Sequence, residues 1–130
     1  MIWGIGSDLC QIDRIAKMTE QSPLNPHVLT SREWTRLEGL CPERRAERTA
    51  GIFAAKEAIA KALGTGFSGF GFPDIEIWAD AQGKPCATLH GAAAKRLPPD
   101  AAIHLSISHD GGMALAFAVI EAPERSEVTQ

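Results

Sequence analysis

The sequence is short of the features that announce several protein classes. Its 130 residues carry a net charge of only −3. That balance leaves no electrostatic footprint for general nucleic-acid binding, although a local basic patch stays open. Cys10, Cys41 and Cys86 are odd in number and lack metal-like spacing. They read as reduced thiols, not as a zinc or disulfide framework. No basic N-terminal segment leads into an apolar run, and no stretch approaches a membrane span. The expectation is a cytoplasmic protein with neither nucleic acid nor membrane among its partners. There is no internal repeat and no regular βαβ series, which favours an α+β chain over a doubly wound sheet. Length and average composition fit one domain with an ordinary core.

What is present centres on residues 53–66. Its alanines and unbranched residues favour a helix, and Gly64 is placed to end it in a left-handed cap. The charges are out of keeping with their packed-looking neighbours. Lys56, Glu57 and Lys61 interrupt the run, and Glu57 and Lys61 are one turn apart. A carboxylate beside lysines, followed by Gly64, Thr65 and Gly66, has the makings of a metal and phosphate site.

Residues 1–7 read as a strand, with Gly4, Gly6 and Asp8 on one parity. The glycines open that face to another backbone or to a ligand. Asp8 also suits the N-cap of a helix over 9–18, marked by Leu9, Ile12 and Ala16. Arg14 and Lys17 project from the other side of that helix, as a solvated face or a docking surface for an acidic partner. Residues 21–29 read as a loop. Thr30 and Glu33 form a capping box for a helix reaching about Leu40, and Pro42 suits the first turn of the next. Residues 74–79 and 86–89 make a hairpin, and 90–97 a short helix. A strand at 103–108 turns at 109–112 into a last strand. There the large Met113, Leu115, Phe117 and Val119 alternate with Ala114, Ala116 and Ala118. The small face admits a helix or a second subunit. The domain is expected over 1–122, with a flexible tail at 123–130.

Three pieces stand apart: Gly4 to Asp8, Phe53 to Gly66, and Ser106 to His109. In this order, with Gly83-Lys84-Pro85 between, they resemble holo-(acyl-carrier-protein) synthase, the short trimeric class of 4'-phosphopantetheinyl transferase. The resemblance covers nearly the full length. It implies a small, mainly antiparallel sheet packed on a long helix, the 4'-phosphopantetheinyl transferase fold. It implies transfer of phosphopantetheine from coenzyme A to a serine of an apo-acyl carrier protein, releasing adenosine 3',5'-bisphosphate. It also implies a Mg2+ cofactor and a homotrimer with active sites at subunit interfaces.

On this resemblance Asp8 and Glu57 are the metal ligands. Lys56, Lys61 and Arg48 supply positive charge to coenzyme A. Gly64, Thr65 and Gly66 cradle a phosphate, and Ser106 and His109 line the coenzyme A site from a neighbouring subunit. Glu57, Lys61 and His109 are the catalytic candidates; the general base stays open among Glu57, His109 and a metal-bound water. Arg14, with Lys17 one turn on, matches the family's carrier-docking surface. Two positions depart from the family pattern. Gln11 stands where Glu is usual, and Ile52 where Arg usually precedes the central motif. Two rival readings are a relative that binds coenzyme A without transfer and a non-catalytic assembly module.

Overall fold

The computed structural model describes residues 1–21 and 27–124, with the backbone alone for 19–21. In chain order, strand β1 spans Ile2–Gln11, helix α1 Ile12–Gln21, α2 Ser31–Leu37 and α3 Pro42–Ala62. A 3-10 turn at Phe72–Asp74 leads into β2 (Ile75–Ala79) and β3 (Pro85–Leu89). Helix α4 (Gly91–Ala94), β4 (Ala102–Asp110) and β5 (Met113–Glu121) follow. The strands form two antiparallel sheets, β1-β5-β4 and the hairpin β2-β3. This is the α+β arrangement expected, with the larger sheet laid on α3.

Small residues bring that sheet close to the helix. Ala114, Ala116 and Ala118 of β5 are fully buried, as are Ala50, Ala54, Ala55 and Ala58 of α3. On β1 the fit is tighter still. A Cβ at Gly4 would sit 2.0 Å from the Ala62 carbonyl oxygen, and one at Gly6 2.0 Å from that of Ala58. Of the two approaches expected at this face, another backbone is the one that occurs. The small face of β5 likewise takes the helix.

The opposite face of the same sheet is apolar and uncovered. Ile5 is 58 % exposed, Leu9 63 %, Leu115 41 % and Phe117 45 %. The register sets Ser7 and Ser106 on either side of Phe117 in this face.

Several expected boundaries are corrected. β1 runs on to Gln11, because its ladder with β5 continues through Cys10–Ala114 and Gln11–Met113. Asp8 is therefore a mid-strand residue opposite Ala116, not a helix cap. Leu9 lies on the strand, and α1 starts at Ile12, whose N–H bonds to the Gly112 carbonyl at 2.9 Å. α2 ends at Leu37, where Gly39 takes a left-handed turn (φ 82°). The helix expected over 90–97 is a single turn. The capping box at Thr30 forms in both directions: Thr30 N–H to Glu33 Oε1 at 2.8 Å, and Glu33 N–H to Thr30 Oγ1 at 3.2 Å. Of the loop expected over 21–29, residues 22–26 lie outside the described residues, as do 125–130 of the tail.

Candidate active site

Two clusters of charged side chains flank α3. The first is where β1 crosses its C-terminal half. The close approach at Gly6 carries Asp8, two residues on, to the turn of α3 that bears Glu57 and Lys61. The Lys61 ammonium donates to the Ser7 carbonyl at 3.0 Å and to Asp8 Oδ1 at 3.3 Å. Burial pushes the Glu57 carboxyl above its usual range. The Asp8 charge adds to the rise, while Lys61 and Arg14 oppose it. The Cys10 thiol below is also raised, chiefly by burial. Desolvation leads, and the neighbouring carboxylate adds to it, in a half-buried corner.

That donor set fits a hard dication. Magnesium takes one or two carboxylates and completes its shell with water and phosphate oxygens. No group of three or more His, Cys, Asp or Glu that could hold a metal occurs among the described residues. Asp8 and Glu57 are the two carboxylates that this corner offers.

The second cluster lines a cavity of about 310 Å³ beside the first half of α3. Its walls carry Arg36 from α2, Arg44 and Arg48 from α3, and His109 from the end of β4. Its apolar lining includes Leu37, Ile52, Ile77, Trp78 and Ile107. His109 Nε2 lies 3.3 Å from Glu47 Oε2. Arginines around an apolar slot can hold a phosphate beside a flat ring. Ile52, at the position where the family has Arg, packs against both the main core and the Leu29–Leu37 cluster. An apolar side chain fits that seam.

The chain from residue 4 to residue 118 matches the family model described as the 4'-phosphopantetheinyl transferase superfamily. The protein belongs to this superfamily. It is 46 % identical over 124 residues to the holo-[acyl-carrier-protein] synthase of Clostridium novyi, covering 93 % of this chain and 88 % of that one. It is 47 % identical over 123 residues to that of Geobacillus kaustophilus, covering 93 % and 90 %. Among solved structures, the Bacillus anthracis holo-(acyl-carrier-protein) synthase in complex with CoA (3',5'-ADP) superposes with a TM-score of 0.81 at 39 % identity, over 95 % of this chain and 99 % of that one.

Against this superfamily background the expected site residues divide. Asp8, Glu57 and Lys61 come together, with Arg14 near enough to act on Glu57. Arg48 and His109 share the cavity. Ser106 and His109 do not converge. They have opposite parity on β4, so Ser106 joins the uncovered sheet face while His109 meets α3. The Gly64 and Gly66 N–H groups bond to the Lys61 and Ala60 carbonyls at 2.9 and 3.2 Å, and Thr65 Oγ1 donates to the Gly66 carbonyl at 3.2 Å. Those two glycine amides close the end of α3. Arg14 and Lys17 are exposed on α1.

Lys56 is a correction. Its ammonium is fully buried and donates to Glu33 Oε1 at 2.7 Å, the Val28 carbonyl at 2.6 Å and the Phe72 carbonyl at 3.1 Å. Burial lowers its pKa, and Glu33 opposes the fall. All three ammonium donors are taken, and none is left for a phosphate.

Sequence reasoning missed Arg36, Glu47 and Trp78 as cavity residues. Glu47 and Arg44 give a usable signal, since their spacing from Arg48 and Gly51 puts them on one helical stripe. Arg36 and Trp78 give none, because only tertiary packing faces α2 toward β2.

Proposed function

We propose that this protein transfers the 4'-phosphopantetheine group of coenzyme A to a serine of an apo-acyl carrier protein, with Mg2+ as cofactor. The observation that carries the reading is the Asp8–Glu57 carboxylate pair beside Lys61, on a chain of this superfamily. In the reaction the serine hydroxyl attacks the pantetheine-side phosphorus. A new P–O bond forms, the P–O bond to the bridging oxygen breaks, and adenosine 3',5'-bisphosphate departs. Asp8 and Glu57 would hold the metal, which when bound neutralises the diphosphate. Lys61 offers its ammonium to the charge growing on the bridging oxygen. The serine proton passes to a neighbouring base, for which Glu57 and His109 are the side-chain candidates.

The cavity of Arg44, Arg48 and His109 would take the adenosine bisphosphate end of coenzyme A. Its lining does not include Asp8, Glu57 or Lys61. We therefore read the site as shared between subunits of a homotrimer, the corner of one chain facing the cavity of the next. The uncovered apolar face of Ile5, Leu9, Leu115 and Phe117 supports burial in such an assembly, and Ser106 would lie in it. Arg14 and Lys17 give a basic docking surface suited to an acidic carrier. No helix among the described residues is long and apolar enough to cross a membrane. We place the protein in the cytoplasm, where its three free thiols persist reduced.

Incubation with apo-carrier, coenzyme A and magnesium should add one phosphopantetheine mass to the carrier, and EDTA should abolish the gain. An unchanged carrier mass across fatty-acid, polyketide and peptide carriers would overturn the proposal. Sedimentation at three chain masses tests the assembly separately.

A further inference from the structure

The cavity's two walls belong to elements that no backbone ladder joins. Arg44 and Arg48 stand on α3, whereas Arg36, Ile77 and Trp78 come from α2 and from β2. Among the described residues, the hairpin β2-β3 is a sheet of its own. Something other than strand pairing must set the width of the slot.

Beside the packing of Ile75 and Ile77 in the core, side-chain bonds around Glu33 join the two walls. Glu33 Oε2 accepts the Ile77 N–H at 2.7 Å, and Arg36 donates to the Ile77 carbonyl at 3.1 Å. One residue of β2 is thereby pinned to α2 through both its backbone groups. Glu33 Oε1 then accepts from the Lys56 ammonium at 2.7 Å, which ties α2 to α3. Lys56 reaches further, to the Val28 carbonyl before α2 and the Phe72 carbonyl before β2. Neither charged side chain of the pair is exposed at all. Thr30 links the knot to Glu76, the neighbour of Ile77, at 3.0 Å. The α2 and β2 residues of the far wall are thus tied, through Glu33 and the Phe72 carbonyl, to one ammonium on α3.

We infer that Lys56 and Glu33 are positioning residues for coenzyme A: their buried pair holds the Arg36–Ile77–Trp78 wall at its working distance from Arg44 and Arg48. The inference rests on the coenzyme A reading of the cavity. Lys56 itself touches no ligand and lends no charge to a phosphate. A buried ion pair often matters for the arrangement it enforces more than for net stability.

The test is the pair of variants Lys56→Met and Lys56→Met/Glu33→Gln. The first leaves Glu33 charged and unpaired and is prepared at low temperature; the second removes both charges, keeps the shapes and retains an amide oxygen for a backbone N–H. Coenzyme A affinity is measured by calorimetry at several salt concentrations, together with kcat at saturating coenzyme A and the melting temperature. The double variant is expected to fold, to bind coenzyme A about tenfold more weakly, and to keep kcat within about threefold. The salt dependence of binding should keep the wild-type slope, because no phosphate contact has been removed. Unchanged affinity with only a lower melting temperature would reduce the pair to a fold element and overturn the inference. So would a shallower salt slope, or a hundredfold loss of kcat at unchanged affinity, since either makes Lys56 a direct contact. A wild-type protein that neither binds coenzyme A nor transfers removes the proposed function along with this inference. A wild type that binds, beside a double variant that binds equally well, removes this inference alone.

Discussion

Lys56 and Glu57 are consecutive residues of one helix, and they occupy different media. Lys56 is sealed among carbonyl oxygens and one carboxylate, with every donor satisfied. Glu57 faces a half-open corner, beside a like charge and below a lysine that is mostly in solvent. The sealed cluster is neutralised internally and so has nothing to offer a ligand. The open one sets two carboxylates against Lys61 and Arg14, both largely in solvent, and leaves the pair open to a dication. Burial and a like charge raise Glu57 in the second cluster, which marks it as the candidate site. Satisfaction in the first is what makes it a scaffold.

Four changes break or sharpen this contrast. The largest effect belongs to the open corner. Asp8→Ala or Glu57→Ala should cost about 10²–10³-fold in transfer, the scale of losing one preorganised transition-state group. Circular dichroism and melting should stay near wild type. Full transfer by both variants would refute the metal assignment.

The sealed cluster should answer in stability. Glu33→Ala strands a buried ammonium, and urea unfolding should show a loss of about 3–5 kcal/mol. A loss below about 1 kcal/mol would mean that the pair behaves like an exposed one.

A smaller effect is expected one step out from the same knot. Thr30→Ala removes the cap bond to the Glu33 N–H and the bond to Glu76, and should cost about 1–2 kcal/mol. Thr30→Ser should recover most of it.

The smallest change runs in the opposite direction. The folded pKa of Glu57 is raised, so its contribution to stability is full below the ordinary glutamate value and is lost as pH rises through the folded value. Without metal, Glu57→Gln should therefore melt higher than wild type at neutral pH, by less than about 1 kcal/mol after solvent screening. The two should converge in acid. A lower melting temperature for the variant at neutral pH would show that the corner is not strained by charge.

Much of this molecule was legible along the chain. The Thr30–Glu33 box, Pro42 at the start of α3 and Gly64 beyond its end depend on neighbours within a turn. The alternation of β5 foretold one small and one bulky face. The boundary of β1 was not legible. Leu9, Ile12 and Ala16 have helical spacing, but pairing with β5 keeps the chain extended through Gln11. Ser106 and His109 sit three apart in one motif and part company because a strand sends odd and even positions to opposite faces. Ile52, read against the family's Arg as a lost charge, turns out to bridge two apolar clusters.

The sequence by itself determined the start of α2, both ends of α3, the class of fold and the residues of the Phe53–Gly66 stretch that place the chain in its superfamily. Those features rest on backbone preferences and residue order, which are local. The tertiary structure alone decided that Lys56 would be buried and Glu57 left facing Asp8. Desolvation and charge pairing depend on which distant segments close over a side chain, and neighbouring positions on a helix point about 100° apart. One step along α3 is enough to exchange a sealed charge for an open one.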